Sequence, residues 1–235
     1  MTLLTAVQNA LNEIGEFEVP DSIVGSGNET AKRMLALAKR EGDLLARAHP
    51  WSRLATEYTF ATVASQADYD LPAGFSRYLN GTWWDRVNRW PLFGPASPAQ
   101  WQRLQSQTLT AGLRRWWRQR GGEMLLFPTP SANGDTIAYE YISTYWCQSA
   151  AGVAQATWAA DSDVFRLDER LLIMGLKWRW LQVNGFDYSE EKREYDDELE
   201  AAKSRDGGAQ TLDLSAPRYD DDLAYANIPD TGIGT

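Results

Sequence analysis

Hydrophobic positions recur at helical spacing near the start of the chain. Leu3, Leu4, Val7, Ala10, Leu11 and Ile14 share one face, Thr2 is placed to cap the first turn and Gly15 to end the last. Residues 2 to 14 therefore read as a short amphipathic helix. Glu16 to Gly27, with Pro20, Gly25 and Gly27, is a connection. Asn28 caps a longer helix from Glu29 to Ala48, with Ala31, Leu35, Ala38, Leu45 and Ala48 on its apolar face, a bend at Gly42 and an end at Pro50. His49, the single histidine, sits at that helix end and reads as a C-terminal cap rather than a catalytic base.

Beyond Arg53 the pattern switches to alternation. Glu57 to Val63 reads as a strand, and Tyr78 to Asp85 as another. Ser97 and Gln100 form a capping box with Pro98 at the first helical position, which predicts a short helix to Gln105. Arg114–Arg120 and Glu123–Phe127 flank Gly121-Gly122, a hairpin signature. Thr136 to Trp146 alternates clearly and is a further strand. Ser149 to Ala160 has no pattern and reads as a linker. Asp168 then caps a helix from Glu169 to Asn184, with Leu171, Leu172, Gly175, Trp178, Leu181 and Gln182 along one side and Gly185 as terminator. Asp187 with Glu190 is a second capping box, opening a charged helix to Arg205 that ends at Gly207-Gly208. Fold class is α+β. Helices from residues 1–52 and 161–206 form one bundle, residues 53–160 an inserted β-rich module, and residues 207–235 an extended C-terminal arm. That arm spaces Leu212, Leu214, Tyr219, Leu223, Tyr225 and Ile228 among acids, a richer apolar content than a disordered tail carries, so it is expected to order on a partner.

Charge changes this picture in one stretch. Between residues 76 and 120 there are eight arginines (77, 86, 89, 103, 114, 115, 118, 120) and one acid, Asp85, in a chain of 235 residues with net charge −9. Six of the eleven tryptophans (83, 84, 90, 101, 116, 117) fall in the same window. Trp and Arg dominate interface hot spots, so Arg114, Arg115, Arg118, Trp83 and Trp84 are candidate subunit or partner contacts, joined by Tyr219, Tyr225 and Ile228 of the arm. The competing reading is an aromatic core with arginines on its rim. A basic middle between acidic ends suits copies that meet head to tail.

Several function classes lose support. A pI near 4.7 disfavours a general nucleic-acid binder. Trp116 and Trp117 are neighbours in a strand and point to opposite faces, so they form no single stacking platform. No apolar run approaches the ~18 residues of a membrane span, so no membrane contact is expected. One cysteine, Cys147, excludes an internal disulfide. There is no P-loop, GxGxxG, HExxH or zinc spacing, and no catalytic, cofactor or metal residues stand out. Asp220-Asp221-Asp222 lacks the glycine and distal glutamate of a calcium loop. A cell-wall hydrolase using two carboxylates and a nucleic-acid binding module remain as alternatives.

Ala48-His49-Pro50-Trp51 closing the N-terminal helical pair is followed by Tyr69-Asp70-Leu71-Pro72, Phe75-Ser76-Arg77 and Trp84-Asp85-Arg86 leading to Pro91-Leu92. Then come Arg120-Gly121-Gly122, Tyr139-Glu140-Tyr141, Asp168 to Trp180, and Ala226-Asn227-Ile228-Pro229-Asp230-Thr231-Gly232. In this order and spacing the chain resembles the tailed-phage head-to-tail adaptors, including the podophage tail-tubular-A and tail accessory factor groups. The resemblance implies a structural virion protein of the neck, without enzymatic activity or cofactor. It implies a ring, commonly dodecameric, between the portal protein and a tail or nozzle protein, with genomic DNA passing through its channel without sequence-specific binding. It further implies that the inserted module faces the tail and that the arm reaches the portal or a neighbour.

Overall fold

The first four helices open at the caps that the sequence signals. In the computed structural model, which describes residues 1–16, 19–106 and 115–207, α1 runs Leu3–Ile14 with the Thr2 hydroxyl accepting from the Thr5 N–H. Next, α2 runs Glu29–Ala48 behind Asn28, whose side chain accepts from the Ala31 N–H. The capping box predicted for α3, Pro98–Gln105, forms in full. The Asp168 carboxylate accepts from the Arg170 N–H to open α4, Glu169–Asn184, which Gly185 ends in a left-handed conformation. The last helix, α5, spans Ser189–Gly207. Its start differs from the expected box: Asp187 accepts from the Ser189 N–H, but Glu190 bonds to Arg193 instead of reaching back.

Among the described residues the chain divides into two compact units, Met1–Ala55 with residues 142–207, and Thr56–Tyr141. In the first, α4 lies against α1, α2 and α5. The stripe that α2 buries is wider than the apolar pattern suggests. Ala31, Ala38 and Leu45 are buried as expected and Leu35 partly so, whereas Ala48 is exposed; Met34, Leu37, Glu41, Gly42 and Ala46 complete the stripe. Gly42 serves contact rather than a bend, since α2 continues through it and a Cβ there would lie 2.6 Å from the Trp146 ring. Glu41 has 0 % of its surface exposed. One of its oxygens accepts from Arg179 Nε at 2.5 Å and the other from the Tyr195 hydroxyl. The Arg179 guanidinium also stacks 4.2 Å above the Trp178 ring. Gly175 makes room for this carboxylate, because a Cβ would sit 2.5 Å from Glu41 Cδ. Burial, and after it the Glu41 charge, holds the Tyr195 phenol above its usual range.

His49 takes the C-cap position of α2, but its side chain turns to Asp206 near the end of α5, with Nε2 3.4 Å from the carboxylate. The stretch expected to be an unpatterned linker is ordered. Of the eleven strands among the described residues, numbered in chain order, β9 (Cys147–Gln148) is flanked antiparallel by β10 (Ala154–Gln155) and β11 (Val164–Phe165). Carboxylates replace the missing hydrophobic pattern here. Asp161 accepts from the Ile23 and Val24 N–H groups, and Asp163 from those of Ala159 and Ala160.

The second unit contains β1 (Ala55–Ala61), β2 (Asp68–Asp70), β3 (Phe75–Tyr78), β4 (Trp84–Asp85), β5 (Trp90–Pro91), β6 (Trp116–Arg120), β7 (Glu123–Phe127) and most of β8 (Thr136–Ser143). One sheet has the order β1-β8-β4-β5, with β3 also on β8; the other has the order β2-β7-β6. The single strand expected over Tyr78–Asp85 is two, β3 and β4, separated by a turn at Gly81 (φ 78°) where the Thr82 hydroxyl bonds the Leu79 carbonyl. Gly121 and Gly122 take φ 66° and 87°, which the tight β6–β7 hairpin requires. The core is aromatic: Trp83 stacks on Tyr139 at 3.8 Å and on Trp117 at 4.1 Å, with Tyr78 edge-on to Trp117.

Two outcomes follow from the first unit. Arg179→Met strands the Glu41 charge and is expected to cost about 3–5 kcal/mol in urea unfolding, while adding Glu41→Leu to it recovers most of the loss. Cys147 is fully buried, and burial, then the Asp163 charge, pushes its thiol up to about 12 from 9.0. The native protein is therefore expected to resist a thiol reagent at neutral pH. A raised thiol pKa gives stability that is complete below the unfolded value and lost as pH rises toward the folded one, so alkaline titration should show this loss between pH 9.0 and about 12.

Candidate functional site

The arginine and tryptophan window is split by the fold into residues turned inward and residues left on the surface. Trp83 is 3 % exposed and belongs to the central aromatic stack. Trp84, next along β4, is half-buried and pairs across strands with Pro91 and Ala138. Trp117 enters the main cluster, whereas Trp116 packs against Phe93 and a satellite cluster of Ala96, Trp101, Leu125 and Phe127. The two rings lie on opposite faces of β6 and share no platform.

Arg115 is committed within the chain. Its guanidinium bridges Asp85 (Nη1 to Oδ2, 3.2 Å) and Asp135, with all three side chains at most 16 % exposed. Asp85 in turn accepts from the Val87 and Asn88 N–H groups and from the Asn88 amide, which fixes the β4–β5 tip. Asp135 is tied by its N–H to Thr62. Sequence reasoning missed both carboxylates, although Asp85, the one acid among eight arginines, was the available signal. Arg118 is half-buried on the outer face of β6. Arg114, Tyr219, Tyr225 and Ile228 lie outside the described residues.

Three arrangements bear on chemistry. Ser52, His49 and Asp206 come together, but Ser52 Oγ donates to Asp206 Oδ1 at 2.6 Å and His49 also faces that carboxylate. The histidine does not stand between the other two, so it is not arranged to take the serine proton. Asp85 and Asp135 share one guanidinium, and Asp85 also accepts from the Val87 and Asn88 N–H groups and the Asn88 amide, a structural use of a carboxylate pair. A groove of about 1110 Å³ in the helical unit is lined by Trp51, Arg53, Arg170, Lys177 and Arg205 together with acids. Several of its members are already engaged, among them Asp168 in capping α4, Arg205 with Glu198, Asp206 with Ser52, and Glu169 with the N-terminal amine. Among the described residues no group of three His, Cys, Asp or Glu side chains is placed to hold a metal. Nor is any described helix long and apolar enough to cross a membrane.

Of the window, Arg118 is thus half-buried on the outer face of β6, while Arg115 is ion-paired within the chain and Trp83 and Trp117 lie in the aromatic core. No curated protein matches the sequence. The family model described as SU10 adaptor protein matches residues 1–221, which takes in both units and part of the segment after Gly207. The chain belongs to the SU10 adaptor protein family and is a structural adaptor of a bacteriophage virion.

Proposed function

We propose that this protein forms an oligomeric, dodecameric ring in the virion neck, joining the portal protein to the tail or nozzle and continuing the DNA channel. The observation that carries this reading is the family match over residues 1–221, which leaves no large part of the chain for a separate activity. The helical unit forms the body of the ring subunit, and the β unit, Thr56–Tyr141, forms the module that faces the tail. The acidic balance, net −9, suits a channel that must release DNA, because arginine contacts to phosphate would retain it.

In this reading the surface arginines and tryptophans are contacts, and Arg115 and Trp83 support them from inside. Arg115→Glu would gather three carboxylates around one site and report unfolding, so the informative variant reverses Arg114 and Arg118 alone. It is expected to keep its near-UV CD and to lose ring formation. Electron microscopy of the purified protein mixed with its portal tests the reading directly; monomers bound without rings would overturn it.

The segment after Gly207 is the proposed portal attachment. At about 3.3 Å per residue, residues 208–235 can span roughly 90 Å, enough to cross a neighbouring subunit. Its scattered apolar residues, among them Tyr219, Tyr225 and Ile228, gain burial only against another chain. Truncation after Asp206 is expected to leave thermal unfolding unchanged and to abolish portal binding in a pull-down. Binding at wild-type affinity would count against the arm.

A further inference from the structure

The sheet β2-β7-β6 has one face turned into the aromatic core and one turned out. Tyr69, Trp117, Met124 and Leu126 belong to the core cluster. By strand alternation, Asp68 and Asp70 on β2, Glu123 on β7, and Arg118 and Arg120 on β6 share the outer face. The register lines them up in rows: Arg118 opposite Leu125 and Leu125 opposite Asp68, then Arg120 opposite Glu123 and Glu123 opposite Asp70. With strands ~4.8 Å apart, an arginine edge and an aspartate edge lie about 10 Å apart on one surface. The apolar end of this face is covered, since Trp101 packs on Leu125 and Phe127. The charged end is left open.

Arg120, Asp68, Asp70 and Glu123 are exposed and Arg118 is half-buried. The salt bridges of this unit are those of Arg86 and Arg115, so none of the five takes part in one among the described residues. Glu123 stands opposite Arg120, which favours that pair, and opposite Asp70, which sets two acids together, while Arg118 and Asp68 both face Leu125 and have no charged cross-strand neighbour. Neither edge supplies the other across the width of the sheet.

We propose that this face is a contact between copies of the chain, with the Arg118 and Arg120 edge of one copy meeting the Asp68 and Asp70 edge of the next. A second copy is the fitting occupant because it carries both halves of the complementarity. Copies of net charge −9 repel at long range, so their association needs local pairing of this kind. Because β6 and β2 are opposite edges of the sheet, side-by-side contact of one copy's β6 edge with the next copy's β2 edge is heterologous, and such contacts give a ring where the rotation between copies closes. The inference rests on the ring reading above and specifies which surfaces meet.

Charge reversal tests it, with assembly on the portal followed by native mass spectrometry and folding by near-UV CD. Arg118→Glu with Arg120→Glu, and separately Asp68→Arg with Asp70→Arg, are each expected to weaken association about a hundredfold. The fourfold variant carrying both swaps is expected to assemble within about tenfold of wild type, because each reversed edge again meets its opposite. Mixing the two half-swapped proteins should also yield assemblies, since one copy presents two acidic edges and the other two basic ones. Normal rings from either half-swapped, natively folded protein would overturn the proposed contact and leave the ring reading intact. So would failure of both the fourfold variant and the mixture, or a species that stops at two copies. Absence of rings from wild-type protein would overturn the ring reading itself.

Discussion

A carboxylate with no exposed surface must be neutralised where it lies, and the helical unit is arranged around that requirement at Glu41. Taking such a charge out of water costs several kcal/mol, recovered only with good geometry and full hydrogen bonding. Arg179 from α4 and Tyr195 from α5 each occupy one oxygen of this α2 side chain. Three helices are thereby held in a single register. Apolar helix faces tolerate sliding by a turn, whereas here a slip would strand the charge. Gly175 belongs to the same constraint, since only a residue without a side chain lets α4 approach.

The β unit solves a different problem with different means. Its central rings stack closely, and such surfaces do not by themselves fix the loops around them. Arg115 does so by joining the β4–β5 tip, through Asp85, to the loop that precedes β8, through Asp135. The chain thus invests one of its arginines in rigidity, leaving others such as Arg118 and Arg120 at the surface. Preorganised surfaces lose less entropy on association, a useful property for a protein whose family role is to connect virion parts.

Elements marked by local chemistry were legible in the sequence. The bounds of α2, α3 and α4 follow from Asn28, from the Ser97–Gln100 box and from Asp168 with Gly185, because capping needs only near neighbours. Features that depend on distant partners were not. Glu41 and Arg179 look like surface positions until α4 and α2 are brought together. The short strands β9, β10 and β11 rest on the Asp161 and Asp163 carboxylates rather than on any alternation. The site was legible as a composition bias but not as a geometry: the count of arginines could not tell Arg115, locked between two acids, from Arg118.

The pairing of Asp206 with Ser52 and His49 sets where tension enters the helical unit. The end of α5 is fastened to the turn that follows α2, immediately before the chain leaves for β1. A pull on the segment beyond Gly207 therefore loads two hydrogen bonds to Ser52 and the His49 contact before it reaches the apolar packing of α5 on α4. The anchorage thus ties the end of α5 to the end of α2 by polar contacts separate from the buried charge network at Glu41.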